Sequence, residues 1–155
     1  MNDTTVDSSL VEQPTGDPVD HAANLVVVTR DRRVLLAVRD RAPFVGLWGL
    51  PGGTCDMGEA TDRVAVGRCR EKTGVDMTGT PLVPVSSRDE GRDASRRFCT
   101  VSYAVLVDAP LPVEVGDAVR EVAFVPVAEA LARPMPWDHA AILREAFRAL
   151  GLTVE

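Results

Sequence analysis

The eight residues from Ala22 to Thr29, AANLVVVT, form a valine-rich apolar run without polar alternation. A strand with one wet face alternates apolar and polar side chains, whereas a strand covered on both faces does not. This run therefore reads as a buried strand, and the sheet that holds it needs a layer on each side. Arg30-Asp31-Arg32 is a polar turn, and Arg33 to Arg39 (RVLLAVR) reads as the returning strand of a hairpin.

The rest of the chain supplies the layers. The pattern predicts a helix from about Thr61 to Thr73, which Gly74 stops at its C-terminal cap. Leu82 to Ser87, Phe98 to Val107 and Glu121 to Val125 are predicted strands, and Val127 to Ala132 a short helix. The last helix runs from Asp138, a credible N-cap, to Leu150, with Ile142, Leu143, Ala146 and Leu150 at helical spacing. Pro43 to Gly53 is a predicted loop with Phe44 and Trp48, and Arg88 to Arg97 a highly charged one. Strands before and after a central helix, with another helix at the end, give an α+β fold whose central mixed sheet is covered on both faces.

Composition bounds the rest. A chain of 155 residues, 45% hydrophobic and 26% charged, fits one soluble globular domain. Residues 1–20 are polar and hold two prolines, which predicts a disordered acidic tail before a domain at 21–155. No apolar run reaches the roughly 18 residues of a membrane helix, and no basic-then-apolar leader opens the chain. No membrane partner and a cytoplasmic location are expected. A net charge of −6 argues against nucleic acid. The argument is partial, because the tail holds five of the 23 acids and none of the 17 bases, leaving 18 acids against 17 bases in residues 21–155. Cys55, Cys69 and Cys99 are odd in number and lack Cys-x-x-Cys spacing, so they read as reduced thiols rather than a disulfide framework or zinc site. Of the 17 basic residues only Lys72 is a lysine.

The stretch Gly53 to Val75, GTCDMGEATDRVAVGRCREKTGV, resembles the Nudix box, G-x5-E-x7-R-E-U-x-E-E-x-G-U with U aliphatic. Gly53, Glu59, Gly74 and Val75 match, and Trp48-Gly49-Leu50-Pro51-Gly52 looks like the approach to the box. Pro136-Trp137-Asp138-His139 and the run Arg97-Phe98-Cys99-Thr100-Val101-Ser102-Tyr103 resemble parts of ADP-ribose-recognising Nudix domains. Some of these are transcriptional regulators with a winged-helix domain after the Nudix domain; no such domain follows here, so DNA binding is not expected. The resemblance covers residues 22–150. It implies a Nudix-type α/β/α sandwich that hydrolyses the pyrophosphate of a nucleoside diphosphate linked to another group, such as ADP-ribose or an NAD-derived dinucleotide. It implies Mg2+ or Mn2+ on helix carboxylates, with Gly53 and Glu71 as the matching metal positions here, and a homodimer.

The helix departs from the pattern. The R-E pair of the box falls on Gly67 and Arg68, and the E-E pair on Glu71 and Lys72. Carboxylates at positions 68, 71 and 72 share one helix face, yet only Glu71 is one. At about 4 Å and an effective dielectric near 20, each unit-charge pair is worth roughly 4 kcal/mol, so ordinary magnesium affinity is not expected. Glu71 is the candidate that holds a metal or activates water, and Arg68 and Lys72 are candidates for contacting phosphate. The other reading is a decayed site in which both cations are ordinary solvated helix residues. Arg39, Trp48, Arg88 and Arg97 are candidates for substrate contact. Asp89, Glu90 or Asp93 are candidates to replace the missing carboxylates, while Glu59 and His139 read as structural. Hydrolysis is the first functional reading. A non-hydrolysing module that holds an ADP-ribose-like ligand is the alternative.

Overall fold

The computed structural model describes residues 19–90 and 97–154. Its elements are β1 (Val19–Thr29), β2 (Arg33–Arg39), β3 (Trp48–Gly49), β4 (Gly52–Thr54), α1 (Thr61–Thr73), β5 (Val83–Glu90), β6 (Arg97–Val107), β7 (Val119–Pro126), α2 (Val127–Leu131) and α3 (His139–Ala149). The sheet is mixed, and helices cover both of its faces, as the apolar run of β1 requires. Successive β1 residues point to opposite sides. Leu25 and Val27 join a core with Val64, Ala65 and Cys69 of α1. Val26 and Val28 join one with Ile142, Leu143, Ala146 and Phe147 of α3. No helix among the described residues is long and apolar enough to cross a membrane.

β1 is the organising strand. One edge pairs in parallel with β6, in register from Val19↔Arg97 to Thr29↔Val107. The other edge is shared. Val28 pairs with Val34 of β2, while Ala22, Ala23 and Asn24 pair with Thr54, Gly53 and Gly52 of β4. β2 meanwhile pairs with β7 and β3. The first two strands therefore diverge, and the segment from β3 to β4 enters the gap between them.

α1 begins at Ala60 without a side-chain cap and ends at Gly74, which takes φ 76° and donates its N–H to the Arg70 carbonyl at 2.9 Å. The loop before β7 closes over this end. Glu114, Gly116 and Asp117 donate their N–H groups to the Thr73, Lys72 and Glu71 carbonyls at 2.8, 3.0 and 3.1 Å. These carbonyls belong to the last helical turn, which has no partner within the helix. A Cβ on Gly116 would lie 1.9 Å from the Glu71 carbonyl oxygen, so only glycine permits the approach.

Four differences from the sequence reading have physical causes. The boundary expected at residue 20 falls inside β1, because Val19 and Asp20 extend the β6 pairing. The expected loop 43–53 contains β3 and the start of β4, which are too short to show a period. The expected charged loop 88–97 is strand at both ends, through the pairing of β5 with β6. Asp138 sits at the start of α3 but makes no side-chain cap; its carboxylate turns to Arg88, Nε to Oδ2 3.5 Å.

Candidate functional site

A cleft of about 320 Å3 opens where β1 and β2 diverge. Ala22–Asn24 of β1, Arg39 of β2, the Gly49–Thr54 segment and the final turns of α1 line it. Gly52 lies so close to β1 that a Cβ would be 2.4 Å from the Ala23 carbonyl oxygen. Gly53 lies under Arg68, whose Cδ is 2.9 Å from where a Cβ would stand. The segment is tied down at two points. Leu25 donates its N–H to the Pro51 carbonyl at 3.1 Å, and Leu50 donates its own to Nδ1 of buried His139 at 3.0 Å. His139 thus accepts at Nδ1 and fixes this wall from α3.

Four cations line the cleft, Arg39, Arg41, Arg68 and Lys72, against two carboxylates, Glu71 and Asp117. Arg68 donates to Glu71 Oε2 at 3.0 Å and to the Thr54 carbonyl at 3.4 Å. The bond to Glu71 holds its guanidinium above the usual arginine range. Arg41 and Asp117 lie 3.8 Å apart. Lys72 is half-buried. Burial, and next the charge of Arg39, pull its ammonium below the usual lysine range. Arg39 is also half-buried and stacks over Trp137, its guanidinium carbon 4.6 Å from the ring centroid.

A magnesium ion takes several hard oxygen ligands in near-octahedral geometry. The residues in this cleft do not fit it. Glu71 is bound to Arg68, the Thr54 carbonyl accepts from the same guanidinium, and Lys72 stands beside them. Among the described residues no three His, Cys, Asp or Glu side chains come together. The side chains of Asp89, Glu90 and Asp93, proposed as replacement ligands, lie outside the described residues.

Arg68, Glu71, Lys72, Arg39 and Gly53, drawn from separate parts of the sequence, converge on the one cleft. Two expected contacts do not. Trp48 packs against the α3-side core, because strand alternation gives the cleft its neighbour Gly49 instead. Arg88 is engaged by Asp138 and by Glu145 of α3. The Arg97 side chain lies outside the described residues. Glu59 is structural as expected: its carboxylate accepts the Asp56 N–H at 2.8 Å. The sequence reading missed Trp137, Arg41 and Asp117 as cleft residues. A tryptophan between a proline and the start of a helix was the one available signal, since such a residue ends on a wall rather than in a periodic core stripe.

Comparison with known proteins bears on this arrangement. The family model of the NUDIX domain matches residues 19–146. The ADP-ribose pyrophosphatase of Methanocaldococcus jannaschii is 26% identical over 123 residues, 79% of this chain and 70% of that protein. A putative 8-oxo-dGTP diphosphatase of Bacillus subtilis is 32% identical over 76 residues, 49% of each chain. The NUDIX domain of Shewanella oneidensis NrtR, solved with ADP ribose, superposes with a TM-score of 0.77 at 26% identity, covering 92% of this chain and 95% of that one. A MutT/nudix family protein from Enterococcus faecalis shares the fold with a TM-score of 0.77 at 22% identity, over 92% of this chain and 66% of that one. The family match begins where β1 begins and runs into α3, so it takes in every wall of the cleft, and the chain belongs to the Nudix family.

Proposed function

We propose that this chain binds a nucleoside diphosphate of the ADP-ribose type in the cleft and holds the diphosphate with Arg68 and Lys72 rather than through a divalent metal. One observation carries the reading: a chain of net charge −6 concentrates twice as many cations as carboxylates in its cleft. An anionic ligand is the partner that such a site favours. Arg68 offers a planar fork of donors, which Glu71 aims across Gly53, and Lys72 offers a compact charge. Desolvation strengthens the attraction between Lys72 and an incoming phosphate. The relatives support the ligand class, one named as an ADP-ribose pyrophosphatase and one solved with ADP ribose.

Thermal shift and equilibrium dialysis with ADP-ribose, each in EDTA and in magnesium, test this reading. Binding of equal strength in both is the expected result, and Lys72→Glu abolishes it. No binding, or binding only with magnesium, sinks it. Hydrolysis of the same ligand is the second reading, favoured by the half-exposed carboxylate of Glu71 in the cleft. Release of AMP that Glu71→Gln removes would put hydrolysis first. The expected homodimer is checked in the same preparation by light scattering.

A further inference from the structure

Arg39 ends β2 where its pairing with β7 becomes irregular, between Val38 and Arg39. Its hydrogen bonds spend its edges: Nε donates to the Pro43 carbonyl at 2.8 Å and one terminal nitrogen to the Arg41 carbonyl at 3.4 Å. One face of the guanidinium lies on Trp137. Trp137 is in turn braced edge-on by Phe44, ring centroids 5.2 Å apart at 73°. Both aromatic residues hold positive φ, 62° at Phe44 and 44° at Trp137. A bulky side chain in that region costs on the order of 1–3 kcal/mol, and such strain gathers at ligand clamps.

A phosphate is gripped by the edge of a guanidinium, through its N–H groups. Here most of that edge is taken up by the backbone, yet Arg39 still lines the cleft. What remains is chiefly the second face, a flat cationic surface held rigid from behind. Such a surface stacks on another flat π system, and nucleobases stack on arginine planes in this way. We infer that Arg39 is the specificity-determining residue of the cleft, its guanidinium stacking on the base of a nucleotide ligand rather than holding the diphosphate. This inference rests on the nucleotide-binding reading above. Arg39 is close enough to Lys72 for its charge to be felt there, so base and diphosphate positions adjoin, as they must for one molecule to span both.

Isothermal titration in EDTA with ADP-ribose and with inorganic pyrophosphate separates plane from charge. Arg39→Lys keeps the charge and removes the plane. Its expected effect is a tenfold or greater loss for ADP-ribose and a clearly smaller loss for pyrophosphate. Trp137→Leu, which removes the backing, gives the same inequality. The chain has two tryptophans, Trp48 and Trp137. In Trp48→Phe the remaining Trp137 emission changes with ADP-ribose and not with pyrophosphate. Equal losses for the two ligands make Arg39 a mere charge and overturn the inference, as does undiminished ADP-ribose binding in Arg39→Lys. Wild-type protein that binds neither ligand overturns the nucleotide reading and this inference with it.

Discussion

Lys72 carries a charge that folding makes costly, because burial and Arg39 both oppose its protonation. Its proton affinity in the folded chain lies below the ordinary lysine value of 10.5. Between those two values the unfolded chain holds more protons, so stability rises with pH through that window. A bound phosphate restores the proton, and binding therefore takes one up in the same window. ADP-ribose affinity is expected to fall as pH climbs from the lowered Lys72 value toward 10.5, and Lys72→Arg flattens the fall. Dialysis across alkaline pH reads both. Lys72 was visible in the sequence as the only lysine, at a position set by the glycines around it. The two tryptophans were not separable in this way. Trp48 and Trp137 both follow loop segments, and only the strand around Trp48 decides that it faces the core.

At the scale of elements, α1 tolerates a change that its neighbours do not. A Cβ on Gly67 meets nothing within 4 Å. Gly67→Ala is expected to stabilise the protein by about 1 kcal/mol, a rise of roughly 2–4 °C in melting temperature by calorimetry. Gly116→Ala has the opposite sign, since its Cβ collides with the Glu71 carbonyl and disturbs the three hydrogen bonds that seat the helix end. Chemical denaturation should show a loss of about 1–3 kcal/mol, the usual cost of overpacking. Arg68→Glu with Lys72→Glu puts carboxylates at 68, 71 and 72 on one helix face. The double variant is expected to gain a magnesium-dependent thermal shift that the wild type lacks. α1 was legible because glycines bracket it and its length fits the spacing. β3 and β4 were not, because strands of two and three residues carry no period and exist only through their pairing with β2 and β1.

For the whole molecule, the layered α+β architecture followed from Leu25 to Val28, four consecutive buried residues that serve two cores. The parallel pairing of β1 with β6 did not, because a register between distant strands leaves no local mark in either. Charge is organised on the same scale, with an acidic chain around a cationic cleft. Ligand association is accordingly expected to slow as salt is raised, which stopped-flow measurements would show. The parallel pairing also sets the order in which the protein can be made. β1 leaves the ribosome early, but the strand that covers its whole edge begins at residue 97 and ends at 107. Through most of synthesis the apolar middle of the sheet waits without its partner, and closing so long a loop slows folding. Nascent chains that end before Val107 should remain open to protease, and protection should arrive only as β6 is completed.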